Sequence, residues 1–287
     1  MLKQRIITAL ILAPLALGAI LFLPLESFEL CIGLIIGLGA WEWSKLMGLS
    51  QRLHKALYTA LALLICALLA FWVPTELIWY QGQLNNVYLS VLALAALWWV
   101  VSLLMILAYP RYTSRWRNSI RLRGLFGLLT LIPTWVAIVT LRTQLYDVDD
   151  LYGASLIFYV LGIVWAADIG AFFVGVKFGR HKLRPNVSPG KTLEGLLGGI
   201  AASSAIIGFA ALHYQVNASM IWTHILIGGV TVGVSALGDL NESMFKRCAG
   251  CKDSGTLLPG HGGILDRIDS LTAAFPIFAL CYVLWMT

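Results

Sequence analysis

Charge is scarce in this chain. Of 287 residues only 12% are Asp, Glu, Lys or Arg, 59% are hydrophobic, and the mean hydropathy is +0.83. A water-soluble domain needs a polar shell, so this composition excludes one and fits a polytopic membrane protein. Cysteine offers no scaffold either. The five cysteines (Cys31, Cys66, Cys248, Cys251, Cys281) suggest no disulfide framework, and three of them sit in apolar runs, where a thiol acts as a small hydrophobe. The C-x-x-C at Cys248 and Cys251 has no second pair, which leaves it a weak zinc or redox signal. Linkers, low-complexity stretches and sequence repeats are absent. The balance of charge is basic, at +6 with a pI of about 9.1. No basic module interleaved with aromatics accompanies it, so nucleic acid is not an expected partner. In a membrane protein the excess is better read as setting orientation and as binding anionic lipid or phosphate.

What the sequence has instead is apolar runs near the length of about 20 residues that crosses a bilayer. They fall at nine places: residues 6–25, 30–47, 53–73, 87–109, 124–141, 154–176, 193–213, 220–240 and 270–286. The expected fold is all-α, with about five spans in an N-terminal region, residues 1–150, and about four in a C-terminal catalytic region, residues 151–287. The opening run, "MLKQRIITALILAPLALGAILFLPL", is longer than a signal-peptide core and lacks a small-x-small cleavage site, so it reads as a retained first span. With the N-terminus in the cytoplasm, 19 of the 20 Lys and Arg residues fall on the cytoplasmic side. Arg142 alone lies outside, beside the acidic "DVDD". The arginine-rich loop from Arg111 to Arg123 reads as a topology determinant resting on anionic lipid. Gly33 with Gly37, and Gly175 with Gly179, are spaced for close helix packing.

Polar groups interrupt the later runs. Asp168 lies well inside the sixth, where an ionisable group costs about 2.5–3.5 kcal/mol on insertion scales. Ala171 and Gly175 follow it by three and seven positions, so the carboxylate shares a helical face with small residues and points into the bundle. Asp239, Glu242 or Ser243, and Lys246 form one polar stripe if the eighth helix runs past the membrane edge, with a Glu242–Lys246 pair as its simplest role. Asp266 and Asp269 share a face if a helix begins near Gly263, and capping of that helix would by itself account for carboxylates there. The preceding His261-Gly262-Gly263 lets backbone N–H groups approach an anion closely. "SPGKT", Ser188 to Thr192, is not a P-loop, because Pro185 stands where the first glycine belongs and no buried strand precedes it. A turn, a lysine and two hydroxyls before a helix N-terminus still suit a phosphate, with Glu194 as a partial cap. Hard oxygen ligands beside Lys246, Arg247, Lys252 and Arg267 suit a nucleoside triphosphate and a lipid phosphate meeting on Mg²⁺ at the cytoplasmic face.

The stretch "SMFKRCAGCKDSGTLLPGHGGILDRID", Ser243 to Asp269, resembles the signature of the CDP-diacylglycerol synthase (phosphatidate cytidylyltransferase) family: S-x-x-K-R, four residues, K-D-x-G, then P-x-H-G-G-x-x-D-R-x-D. Every fixed position is filled, and Cys248 and Cys251 fall at variable ones. "GDLNES", "WAADIGAFFVGVKFGRHKL" and "SPGKT" are also similar to family segments, whereas the first 150 residues are similar in pattern only. The resemblance implies the reaction of CTP with phosphatidic acid to give CDP-diacylglycerol and pyrophosphate. It implies Mg²⁺, a second cation that is K⁺ in some members, a homodimer, and residence in the bacterial inner membrane.

On that basis Asp239 and Asp266 are the expected metal ligands, with Asp168 and Asp269 as further ligands or as orienters of bound water. Lys246, Arg247, Lys252 and Arg267 are expected on the triphosphate and the leaving pyrophosphate. Ser188, Lys191, Thr192, Ser243, Asp253, His261, Gly262 and Gly263 are expected to bind substrate. Two other classes remain open on the residues alone: a transporter or channel using Asp168, and a lipid-phosphate transferase with a different nucleotide or a polyprenol.

Overall fold

The computed structural model describes residues 2–285, with the side chains of residues 2, 3, 5 and 9 outside that description. The side chains of the topology residues Lys3 and Arg5, and the expected end of the last span at 286, therefore lie outside that description. Ten helices follow one another: α1 (Leu2–Phe22), α2 (Leu25–Leu46), α3 (Arg52–Trp72), α4 (Asn86–Ala108), α5 (Ser114–Arg117), α6 (Ile120–Thr143), α7 (Tyr152–Phe178), α8 (Leu193–His213), α9 (Ile221–Ala249) and α10 (Leu265–Trp285). All but α5 coincide with the nine apolar runs. Seven of them, α3, α4 and α6 to α10, are long and apolar enough to cross a membrane. A 3-10 turn (Thr75–Leu77) and two small antiparallel hairpins complete the described chain: β1 (Trp79–Tyr80) with β2 (Gln83–Leu84), and β3 (Lys182–Arg184) with β4 (Ser188–Thr192).

Local chemistry sets the helix ends. The Asn85 side chain accepts from Val87 N at 2.9 Å at the start of α4, and Ser119 accepts from Leu122 N at 3.2 Å at the start of α6. α9 runs nine residues past the expected edge at 240, because its polar stripe is internally bonded: Ser243 Oγ donates to Asp239 Oδ1 at 3.2 Å, and Lys246 Nζ lies 3.2 Å from Glu242 Oε1. It stops at Gly250, whose φ of 69° is left-handed, with Cys251 N closing onto Lys246 O at 3.0 Å.

The helices alternate in direction, and contacts between distant residues define the two ends of the bundle. At one end Arg123 donates to Leu46 O at 3.0 Å and Lys45 to Asp253 O at 3.2 Å. At the other, Arg142 donates to Ile20 O at 3.0 Å and to Asp150 O at 2.9 Å, and its guanidinium lies over Tyr146. Arg142 is thus buried at the end that carries Asp147, Asp149 and Asp150. α6 is the most enclosed of the candidate spans, with 72% of its apolar window buried against 17% for α3. The outer helices expose leucines and aromatics such as Leu10, Phe22, Phe71, Phe172 and Phe173, a surface that fits lipid and not water. Beneath the basic end, Trp43, Trp98, Trp116, Phe126 and Phe245 pack ring on ring, with Trp43 and Phe245 centred 4.9 Å apart. That cluster fixes α2 against α9 next to the polar stripe.

Candidate active site

α7, α8, α9, α10 and the β3–β4 hairpin enclose a cavity of about 560 Å³ at the basic end of the bundle. Asp168 enters from α7, Lys191 and Thr192 from β4, Asp239 from α9, and Asp266, Arg267 and Asp269 from α10. Ala171 and Gly175 line the same wall as Asp168, as their spacing required. The close approach of α7 to α8 depends on glycine: a Cβ at Gly170 would collide with the backbone of Gly198, and one at Gly198 would collide with Val174.

Four carboxylates face this cavity. Asp239 Oδ2 pairs with Lys191 Nζ at 2.6 Å, and that ammonium also reaches Ala236 O at 3.4 Å. Asp266 is engaged on every side. Its Oδ1 accepts from Lys246 Nζ at 2.8 Å and Ser254 N at 3.2 Å, and its Oδ2 from Gly263 N at 2.9 Å and Ser254 N at 3.0 Å. Those contacts use the lone-pair directions a carboxylate has. Asp269 Oδ1 accepts only from the adjacent Ser270 N at 2.8 Å, and neither Asp168 nor Asp269 has a cation within ion-pair distance among the described residues. Behind the wall, Glu242 is 2% exposed and its Oε2 has no hydrogen-bond partner.

This donor chemistry fits a hard divalent cation. Asp269, partly buried in the wall, has no counter-charge within ion-pair distance among the described residues, and a carboxylate drawn out of water is costly unless a cation compensates it, while Asp168 stands exposed in the same wall as a further oxygen donor. Among the described residues no three His, Cys, Asp or Glu side chains form a ready-made cage. Mg²⁺ does not need one, because it commonly keeps several waters and takes one or two carboxylates plus substrate phosphates.

Other expected site residues sit around the cavity but not on its wall. Arg247 Nε donates to Val187 O at 3.3 Å and so tethers the hairpin turn. Ser188 opens β4 opposite Arg184, and Ser243 is spent on Asp239. Lys252 and Asp253 are exposed on the loop joining α9 to α10. His261 N donates to Leu258 O at 2.9 Å, while its ring Nδ1 is buried without a partner. Gly262 has a left-handed φ of 85°, where a side chain would be strained. The anions that the glycine turn approaches are the protein's own: Gly263 N meets Asp266, and the next two amides meet Glu42.

"SPGKT" forms strand β4, paired with β3. The N-cap of the helix after it is Thr192, whose hydroxyl accepts from Gly195 N at 3.1 Å, and Glu194 adds a partial contribution through its own backbone N–H in the first turn. Glu194 stands at the second helical position, one short of the third position that a capping box uses, and turns back to accept from Arg180 N at 3.1 Å and to meet His181 Nδ1 at 2.6 Å. The lone C-x-x-C is unbonded: Cys248 and Cys251 are free, and burial pushes the Cys251 thiol up.

Glu42 and Lys182 were not among the expected site residues. Lys182 lines the cavity from β3. Glu42 is 3% exposed on α2 and accepts from Ser254, Ile264 and Leu265. Its signal was an acidic residue inside the apolar "GLGAWEWSKLM". A second cavity of about 240 Å³, lined by Tyr152, Tyr159, Tyr214, His224 and Tyr282, lies at the far end of the bundle and has no carboxylate, lysine or arginine in its wall.

Fold and site together define a multi-pass membrane protein with an acidic cavity, floored by lysine and arginine, at one end of the helices. A model of the cytidylyltransferase family matches residues 3–285. The chain is 45% identical over 286 residues to a phosphatidate cytidylyltransferase of Pseudomonas aeruginosa, covering 99% of this chain and 97% of that one. It is 40% identical over 288 residues to one from Haemophilus influenzae, covering 98% and 99%. Over 202 residues it is 34% identical to one from Staphylococcus aureus, covering 63% and 76%. The chain belongs to the cytidylyltransferase family.

Proposed function

We propose that this chain transfers the cytidylyl group of CTP to phosphatidic acid, giving CDP-diacylglycerol and pyrophosphate, and that the cavity walled by Asp168, Asp239, Asp266 and Asp269 is where it does so. One observation carries the placement: this wall joins carboxylates to Lys191, Lys182 and Arg267 beside the lipid-facing Phe172 and Val176 of α7. A polar nucleotide and a lipid phosphate thus have access to one chamber, with acyl chains left in the bilayer.

A phosphatidate oxygen bonds to the α-phosphorus of CTP while the bond from that phosphorus to the β-phosphate oxygen breaks, and the electron pair leaves with pyrophosphate. Phosphatidate is already an anion, so no strong general base is required. Such a transfer depends on alignment and charge stabilisation. Lys191, Lys182 and Arg267 draw the triphosphate in and offset the charge on the departing pyrophosphate. Lys246 holds Asp266 in place from behind, and Arg247 keeps the hairpin turn beside the cavity. Asp239, Asp168 and Asp269, with Asp266 beside them in the same wall, would hold Mg²⁺. When bound, the ion supplies charge neutralisation between the two polyanions. A monovalent cation such as K⁺ beside it, and a homodimeric assembly, are expected from the resemblance and belong to the same proposal.

The cavity faces the cytoplasm in this reading, with the N-terminus on the same side of the bacterial inner membrane. Its support is the positive-inside distribution, since the cavity end gathers nearly all the basic residues and the far end carries Asp147, Asp149 and Asp150. The experiment is direct. Purified protein in detergent with radiolabelled CTP, phosphatidate and Mg²⁺ yields labelled CDP-diacylglycerol, and the yield vanishes with chelator and returns with Mg²⁺. No labelled lipid under these conditions removes the reading.

A further inference from the structure

The N-terminal helices reach across the molecule to the loop between α9 and α10. From α1, Thr8 Oγ1 donates to Pro259 O at 3.0 Å, and from α2, Lys45 Nζ donates to Asp253 O at 3.2 Å. Between them lies Glu42. Its Oε1 accepts from Ile264 N at 3.1 Å, and its Oε2 accepts from Leu265 N at 2.8 Å and Ser254 Oγ at 3.1 Å. The two amides belong to the start of α10, where N–H groups lack partners within the helix and the dipole favours negative charge. A carboxylate 222 positions away in sequence (264 − 42) therefore caps the helix that carries Asp266 and Asp269.

The loop is shaped around this carboxylate. A Cβ at Gly255 would overlap Glu42 Oε1, and a Cβ at Gly263 would overlap Glu42 Oε2 and Ser254 Oγ. Two glycines of the motif are thus small because Glu42 occupies the space. An apolar side chain would also fill the gap between α2 and α10. Only a carboxylate aligns three donors from two separate segments of the loop, and doing so carries the desolvation cost of a buried charge. The same turn sets Gly263 N on Asp266, hence Asp266 on Lys246, and places Asp269 one helical turn further along the cavity wall.

We propose that Glu42 is a positioning residue for the cytidylyl transfer: it fixes the start of α10, and through it Asp266 and Asp269, without touching substrate. The inference rests on the functional reading above. It gives the N-terminal helices a role as a clamp on the catalytic loop.

The test is Glu42→Gln, which keeps shape but presents an amide N–H₂ to at least one of the three donors. In the detergent-purified full chain, kcat falls by about 10- to 100-fold, as misplacement near a reacting centre does, while KM for CTP and for phosphatidate stays within about threefold of wild type. Amide hydrogen exchange rises in peptides covering 253–265 and not in peptides from the middle of α9. Glu42→Asp, which keeps the charge and withdraws it by one methylene, recovers part of kcat. A kcat within about twofold of wild type in folded E42Q overturns the proposal, as does unchanged exchange at 253–265. Should E42Q not accumulate as folded protein, Ser254→Ala decides, since it removes one donor and leaves both amides. Reduced kcat at constant KM then supports the clamp, and wild-type kcat overturns it. Failure of the wild type to make CDP-diacylglycerol would sink the functional reading instead, and the exchange measurement would still judge the clamp.

Discussion

Lys246 Nζ lies 2.8 Å from Asp266 Oδ1 and 3.2 Å from Glu242 Oε1, so one ammonium on α9 holds two enclosed carboxylates, one from its own helix and one from α10. Both acids are largely out of water, with side-chain exposures of 3% for Glu242 and 6% for Asp266. Removing the cation leaves negative charge enclosed on both helices, and breaking a buried pair by deleting one partner costs about 3–5 kcal/mol. Lys246→Met therefore lowers the thermal midpoint in detergent and abolishes turnover together. Lys246→Arg keeps the charge and retains most of the stability. A K246M protein that melts like wild type would show that the pair contributes nothing to the fold.

The Lys191–Asp239 pair behaves differently. At 2.6 Å it is close, but its side chains are 27% and 30% exposed toward the cavity, so screening leaves it worth little to stability, about 0–1 kcal/mol. Its role lies in ligand binding. Lys191→Ala lowers kcat/KM for CTP by about 10- to 100-fold, the loss of one charge-assisted phosphate contact, with an unchanged thermal midpoint. Wild-type kcat/KM in K191A would return "SPGKT" to a purely structural strand.

The glycines around Glu42 give a third prediction. Gly263→Ala drives a methyl group into the Glu42 and Ser254 oxygens, and Gly255→Ala drives one into Glu42. Overpacking of this kind costs about 1–3 kcal/mol, read as a lower unfolding midpoint, and it displaces the start of α10. Gly250→Ala is the comparison. Its φ of 69° is strained for alanine, but nothing lies within contact distance, so it costs less and spares turnover. Equal loss of activity in all three would mean that the loop responds to strain in general and not to Glu42.

Much of this was legible in the chain. The nine apolar runs became nine long helices, seven of them long and apolar enough among the described residues to cross a membrane, because bilayer thickness imposes a length that periodicity need not supply. Asp168, Asp239, Asp266 and Asp269 met at one cavity because helix spacing alone put each on the inward face. What was hidden depends on distant partners. α5 is one turn long and exists because Trp116 packs on Phe245, 5.3 Å between ring centres. The β3–β4 hairpin is held by Leu193 N on His181 O at 2.8 Å and by Arg247 on Val187, contacts no local pattern announces. Glu42 reads as an ordinary acid near a helix end until the chain brings Ser254, Ile264 and Leu265 to it.

The proposed function requires that carboxylates of α9 and α10 and the hairpin lysine form one site for a metal-bound triphosphate. Calorimetric titration of CTP into folded wild-type protein, Asp239→Asn and Asp269→Asn, each with and without Mg²⁺, tests it most directly. Binding by wild type in the presence of Mg²⁺ alone, and its loss in both variants at unchanged thermal midpoint, is the predicted outcome. Mg²⁺-dependent CTP binding of wild-type strength in either folded variant would contradict it for that residue, and in both would contradict the site.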